Sequence, residues 1–340
     1  MNAEPTRQYL HSYLAPLLPI LERAEVTDIF VNRSKEVWAE TLDGKLEMHA
    51  APELDDATLW RLSRQIASLS DQGISREHPL LSAILPGGER VQIVAPPATR
   101  GSIAMAVRKH SLANFGLADY ERNGAFSGLA TEKNNDRTKL DAELSALYEA
   151  GRVAECLRLA VRNRKNILIS GGTSSGKTTF LNALLKEIPG NERLILVEDV
   201  PEIRLDHANS VGLVAARGEM GEAKITMDDL VQASLRMRPD RIILGELRGS
   251  EAATFLRAVN TGHPGSITTI HADSPARAVE QLGFLVLQSG LNLGWADVLR
   301  YVRGIVDIFV QLSRCDGRRT VEQIVLQTEP RRPAMSESRF

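Results

Sequence analysis

The apolar run Asn166-Ile167-Leu168-Ile169-Ser170 leads directly into Gly171-Gly172-Thr173-Ser174-Ser175-Gly176-Lys177-Thr178. Thr179–Lys186 then follows with helical spacing and stops at Pro189-Gly190. Strand, glycine loop and helix start, in that order, form the context that the G-x-x-x-x-G-K-[ST] pattern requires. The glycines let backbone N–H groups turn inward around an anion, and the helix N-terminus adds the positive end of its dipole. Residues 171–179 therefore predict a nucleoside triphosphate site. Lys177 is expected to reach the β- and γ-phosphates, and the Thr178 hydroxyl to ligate Mg²⁺.

At 340 residues the chain has room for two ordinary domains. Its 43% hydrophobic and 25% charged content is that of a water-soluble globular protein. A net charge of −2 gives no global attraction to nucleic acid. Two cysteines, Cys156 and Cys315, are too few for a zinc cluster and suggest a reducing compartment. No run approaches the ~18 uncharged apolar residues of a spanning helix. Leu10, Leu14, Leu17, Leu18 and Leu21 read as the buried face of a first helix, shortened or kinked by Pro16 and Pro19.

Residues 1–110 predict a mixed α+β domain. Val26–Asn32 and Glu36–Glu40 read as strands, Asp56–Ser68 as a helix with Leu59, Leu62 and Ile66 on one face, and Arg90–Val94 as a strand stopped by Pro96-Pro97. Residues 111–139 are expected to be an interdomain linker, being polar and mostly aperiodic. Over 140–330 strands alternate with helices, the pattern of a parallel sheet covered on its faces, and 331–340 read as a flexible tail. The expected strands are Ile167–Ser170, Leu194–Val197, Ile242–Leu244 and Ile267–Ile270.

Two of these strands end in acids. One carries Glu198-Asp199 and the other Gly245-Glu246-Leu247-Arg248. Two adjacent acids alone are more often a solvated turn. A second acidic strand end in the same α/β segment raises both above that reading, because strand carboxyl ends are where such sheets place their chemistry. Either carboxylate could orient the attacking water, and Glu246 could also support the metal through water. His271 ends the expected strand Ile267–Ile270, placed to sense a γ-phosphate, with His263 upstream.

The ordered set Gly171–Thr178, Glu198-Asp199, Gly245–Arg248 and Thr261–Ala272 resembles the hexameric traffic ATPases of bacterial secretion. Leu85-Pro86-Gly87-Gly88-Glu89-Arg90-Val91, Pro96-Pro97 and Val107-Arg108-Lys109 are similar to the type IV secretion branch. The resemblance covers roughly residues 10–325. It implies an α/β protein with a RecA-like P-loop C-terminal domain, a smaller sensor-like α+β N-terminal domain, and six subunits in a ring. ATP and Mg²⁺ are the implied cofactors, with Arg90, Arg100 and Arg108 as N-domain arginines reaching the phosphates. Arg90 and Arg108 match the motif positions better than Arg100. By the same carry-over Glu198 polarises water, Glu246 supports the metal and His271 senses the γ-phosphate, although Glu198 and Glu246 could exchange roles.

Implied partners are further copies of the chain, inner-membrane channel components, other secretion ATPases, and a secreted protein or nucleoprotein. The implied location is the cytoplasmic face of the inner membrane. Too few cysteines remain for the zinc module of the type II branch. A Tad-type pilus assembly ATPase is the nearest competing branch, and a slowly hydrolysing, nucleotide-gated scaffold is the competing class. A DNA motor is the weakest reading, because no basic-aromatic surface for nucleic acid is legible.

Overall fold

The computed structural model describes residues 10–109, 116–122, 124–127, 133–215, 222–315 and 317–327. Residues 111–115, 123 and 128–132 of the expected linker and the whole expected tail at 331–340 lie outside these residues, and the described part of the linker holds the helix Leu117–Arg122 and the start of the helix Lys133–Glu149. The chain divides into two compact units. One joins Met1–Leu112 with Pro189–Glu246 and Ser250–His263, and the other joins Ala113–Ile188 with Leu247–Gly249 and Pro264–Phe340.

The first unit opens with β1 (Val26–Val31), β2 (Glu36–Thr41), β3 (Leu46–Ala50), β4 (Leu80–Ile84), β5 (Arg90–Val94) and β6 (Ala104–Arg108). They form one sheet in the order β3-β2-β1-β6-β5-β4, antiparallel throughout. The helix Asp56–Leu69 starts where the Asp55 carboxylate accepts the Thr58 N–H at 2.7 Å, and it buries Leu59, Leu62 and Ile66. The N-terminal leucine stripe joins the same core through Leu10, Leu14 and Leu17. Helix runs there over residues 10–14 and again over Leu18–Leu21, with a turn at 15–17 around Pro16.

The remaining strands are β7 (Ile167–Gly171), β8 (Leu194–Glu198), β9 (Ser210–Val214), β10 (Arg241–Leu247), β11 (Ile267–Ile270), β12 (Ile308–Cys315) and β13 (Arg318–Leu326). In the first unit β8 lies between β10 and β9, all parallel. Before its helix Met227–Ser234, Thr226 and Asp229 exchange side-chain and backbone bonds in a capping box.

Two arginines hold this part of the unit together. Arg241, fully buried at the start of β10, grips Glu192 through two bonds of 2.6 and 2.7 Å. Arg193, also fully buried, reaches residues of the N-terminal half. It bonds Asn32 and Asn209 at 2.6 Å each and the Met237 carbonyl at 3.0 Å, with the Phe30 ring centroid 3.9 Å from its guanidinium carbon. Burial pushes the Arg193 pKa below its ordinary value, so the oxygens and the ring face must replace the lost water.

In the second unit β7 is flanked by β11 and β12 in parallel, and β13 returns antiparallel on β12. Asn166 sets their common starting line. Its N–H donates to Asp307 at 2.8 Å, its amide donates to the Ile305 carbonyl at 2.8 Å, and its side-chain oxygen accepts from Gly265 N–H at 2.7 Å. The helix Pro275–Gln288 begins at the Ser274 cap with proline in its first turn.

Candidate nucleotide site

The phosphate loop lies in the second unit, between β7 and the helix Lys177–Leu185. Ser174 has φ 62° and Gly176 φ 96°, so two left-handed residues turn successive N–H groups to one side. Gly176 is also the helix N-cap, where the dipole favours an anion. The loop is pressed against β12, since a side-chain carbon on Gly171 would fall 2.7 Å from the Leu312 carbonyl oxygen. Lys177 Nζ donates to the Gly171 and Gly172 carbonyls at 2.9 and 3.3 Å, which holds its charge over the loop. The buried Ser175 hydroxyl has no hydrogen-bond partner among the described residues. A nest of N–H groups, a lysine and an orphaned hydroxyl fit a polyphosphate.

The Thr178 hydroxyl beside the loop is a hard oxygen donor of the kind Mg²⁺ takes, an ion that keeps most of its shell as water and phosphate oxygens. No cluster of three or more histidine, cysteine or acidic side chains suited to a metal occurs among the described residues. An all-protein metal cage is therefore not what these residues offer.

Glu198 and Glu246 lie in the first unit, at the ends of β8 and β10. Their surroundings differ sharply. Glu198 is 1% exposed, and its Oε1 accepts the N–H groups of Glu202 and Ile203 at 2.9 and 2.8 Å. Its Oε2 meets the Arg100 guanidinium. Gly245 permits this placement, because a side-chain carbon there would stand 3.1 Å from Glu198 Cγ. Glu246 is only half-buried.

Arg100 is brought to Glu198 by a short strand-like contact. Thr99 bridges Leu213, and Arg100 N–H donates to the Gly212 carbonyl at 3.0 Å, so the 98–100 segment lies along β9. Its guanidinium also donates to the Ile203 carbonyl at 2.5 Å. Burial pushes the Arg100 pKa down.

Arg90 and Arg108 do not join this cluster. They face each other across β5 and β6 and line a cavity of about 320 Å³ with Arg236 and Arg238. Arg238 is held by Glu40 and, at 2.9 Å, by Asp240. Sequence reading singled out neither Arg236 nor Arg238. Both sit between a helix and a strand, and only the fold carries them to β5.

His271 follows β11 and is exposed. His263 is packed, with Nδ1 2.9 Å from the Pro239 carbonyl, and burial pushes its pKa down. That favours a neutral, structural imidazole. Ser266 and Thr268 are buried rather than directed to solvent.

Residues 129–335 match the Type II/IV secretion system protein family, and the chain belongs to it. The type IV secretion system protein VirB11 of Bartonella quintana is 38% identical over 324 residues, covering 92% of this chain and 91% of that protein. VirB11 of Brucella suis is 42% identical over 306 residues, covering 88% and 84%. The crystal structure of the Brucella suis VirB11 ATPase in complex with sulphate superposes with a TM-score of 0.87 at 37% identity, covering 95% of this chain and 96% of that one. The α/β, RecA-like P-loop fold expected from the sequence is thus the fold of the chain.

Proposed function

We propose that the chain is an ATP-hydrolysing ring motor, six copies strong, that energises a type IV secretion system at the cytoplasmic face of the inner membrane. The observation that carries the reading is the phosphate loop, with left-handed Ser174 and Gly176 at a helix start and Lys177 held above it. Similarity to VirB11 proteins over 88–92% of the chain supplies the secretion context.

Residues 171–179 bind the phosphates through backbone N–H groups, the Ser175 hydroxyl and the Lys177 ammonium. Thr178 and Glu246 would hold Mg²⁺, which would supply neutralisation of the charge developing on the phosphates. Of the two carboxylates, Glu246 is better suited to orient the attacking water, because it is half-buried where Glu198 is enclosed. Glu198 has its acceptor capacity spent on two N–H groups and Arg100, which suits a carboxylate that positions Arg100. Arg90 and Arg108 clamp phosphate oxygens, and His271 reports the γ-phosphate.

Lys177→Ala tests the reading. Purified variant protein should turn over ATP at less than about a tenth of the wild-type rate, and cells carrying it should lose secretion. Wild-type turnover in the variant would remove the phosphate loop from the mechanism.

A further inference from the structure

The hairpin formed by β12 and β13 stands beside the phosphate loop, and one of its side chains lies on it. A side-chain carbon at Gly176 would fall 2.9 Å from Arg319 Cδ and 3.6 Å from Arg319 Nε. The arginine stem therefore rests on the bare glycine that caps the helix Lys177–Leu185. An arginine on an outer strand commonly serves only to discourage edge pairing, and then it points away into water. Arg319 instead leans over the loop.

The hairpin end is also crowded with like charge. Arg314 and Arg319 are directly opposite each other, with Arg318 next along the strand. Cross-strand pairs of like charge are destabilising unless an anion offsets them. None of the three makes a side-chain hydrogen bond or ion pair with another described residue. Among the described residues, the feature nearby that is built for anions is the loop itself, whose N–H groups turn inward at Ser174 and Gly176.

We propose that Arg319 is a further phosphate ligand of this site, its guanidinium gripping phosphate oxygens at the Gly176 end of the loop. Lys177 is tethered at the opposite end, over the Gly171 and Gly172 carbonyls. The two cations thus bracket the polyphosphate, the lysine as a point charge and the arginine as a planar fork. The proposal rests on reading the loop as a nucleotide site, and it adds β13 to the elements that build that site.

Binding of ATP and of inorganic tripolyphosphate to the full chain, measured by titration calorimetry, tests it with wild type, Lys177→Ala, Arg319→Ala and Arg319→Lys. Arg319→Ala should weaken both ligands about tenfold, and Arg319→Lys should recover part of the loss, because charge returns without the fork. The side chain is exposed, so an unchanged melting temperature is expected and separates ligand contact from fold damage. Wild-type affinity for both ligands in Arg319→Ala, with Lys177→Ala still impaired, overturns the inference and leaves the nucleotide site standing. Weakened ATP with unchanged tripolyphosphate also overturns it, placing the guanidinium on the base. Failure of the wild type to bind either ligand would instead sink the nucleotide reading itself.

Discussion

Glu198 and Glu246 end adjacent strands, yet one side chain is enclosed and the other only half-buried. Replacing each by glutamine keeps shape and removes charge. Glu246→Gln should retain nucleotide binding and lose at least ~100-fold in turnover, the scale on which a positioned acid–base group contributes. Glu198→Gln should lose turnover too, but with a lower melting temperature, because Arg100 would be left buried beside a neutral amide. Removing one partner of a buried ion pair costs about 3–5 kcal/mol. Rate and melting curves of the two variants side by side check the division, and a Glu198→Gln protein as stable as wild type would contradict it. Arg193 makes a similar point away from the chemistry. Asn32→Leu deprives a fully buried guanidinium of one acceptor and should cost about 1–3 kcal/mol in a urea melt.

Elements carry the site through contacts that backbone geometry sets. β10 packs closely on Glu198 at residue 245, where a side-chain carbon would stand 3.1 Å from Glu198 Cγ. Gly245→Ala should lower stability by about 1–3 kcal/mol, as overpacking does, and should lower ATP turnover with it. Equal stability and activity would mean that β8 and β10 can separate at that point. Much of this level was legible in the sequence. The phosphate loop, the strands β1, β2, β5, β7, β8, β10 and β11 and the helix Asp56–Leu69 all carry strong local signals: continuous apolar runs, capping residues and prolines at the ends. β4 escaped because its alternation is brief and half-exposed. β9 and β13 escaped for other reasons. β9 opens on serine and contains Gly212, and β13 turns mostly polar side chains to solvent. Of the candidate site, the residues were readable but their grouping was not. Arg100 matches the N-terminal motifs less well than Arg90 and Arg108, yet it is the arginine on Glu198, because strand-like pairing at Thr99 decides its position. No local pattern announces such a contact between residues a hundred positions apart.

At the scale of the whole molecule, the compact units do not follow the chain. Residues 189–246 and 250–263 pack with the N-terminal half, whereas the phosphate loop belongs with the C-terminal strands. A fragment of residues 140–340 keeps the loop and both carboxylates but loses Asn32, Phe30, Glu40 and Arg100. It would expose the apolar and charged surfaces that those residues cover. The fragment should melt at least ~5 °C below the full chain and hydrolyse ATP poorly, with hydrogen exchange fastest over 189–215. Full activity and stability in the fragment would show that the N-terminal sheet is dispensable to both. The two cysteines should matter to neither. Cys156 is buried against the Leu144 carbonyl and Cys315 is exposed, and a double Cys→Ser protein should keep its ATPase rate.

The interleaving of the two units also sets a timetable for synthesis. When residue 112 leaves the ribosome, the N-terminal sheet has its strands but not the segments that pack with it, which end at His263. At ~5–20 residues per second, roughly 150 further residues take about 8–30 s to emerge. Throughout that interval Phe30 and Asn32 wait without Arg193, and Glu40 waits without Arg238. A nascent chain in this state presents an unfinished face for far longer than its strands need to form.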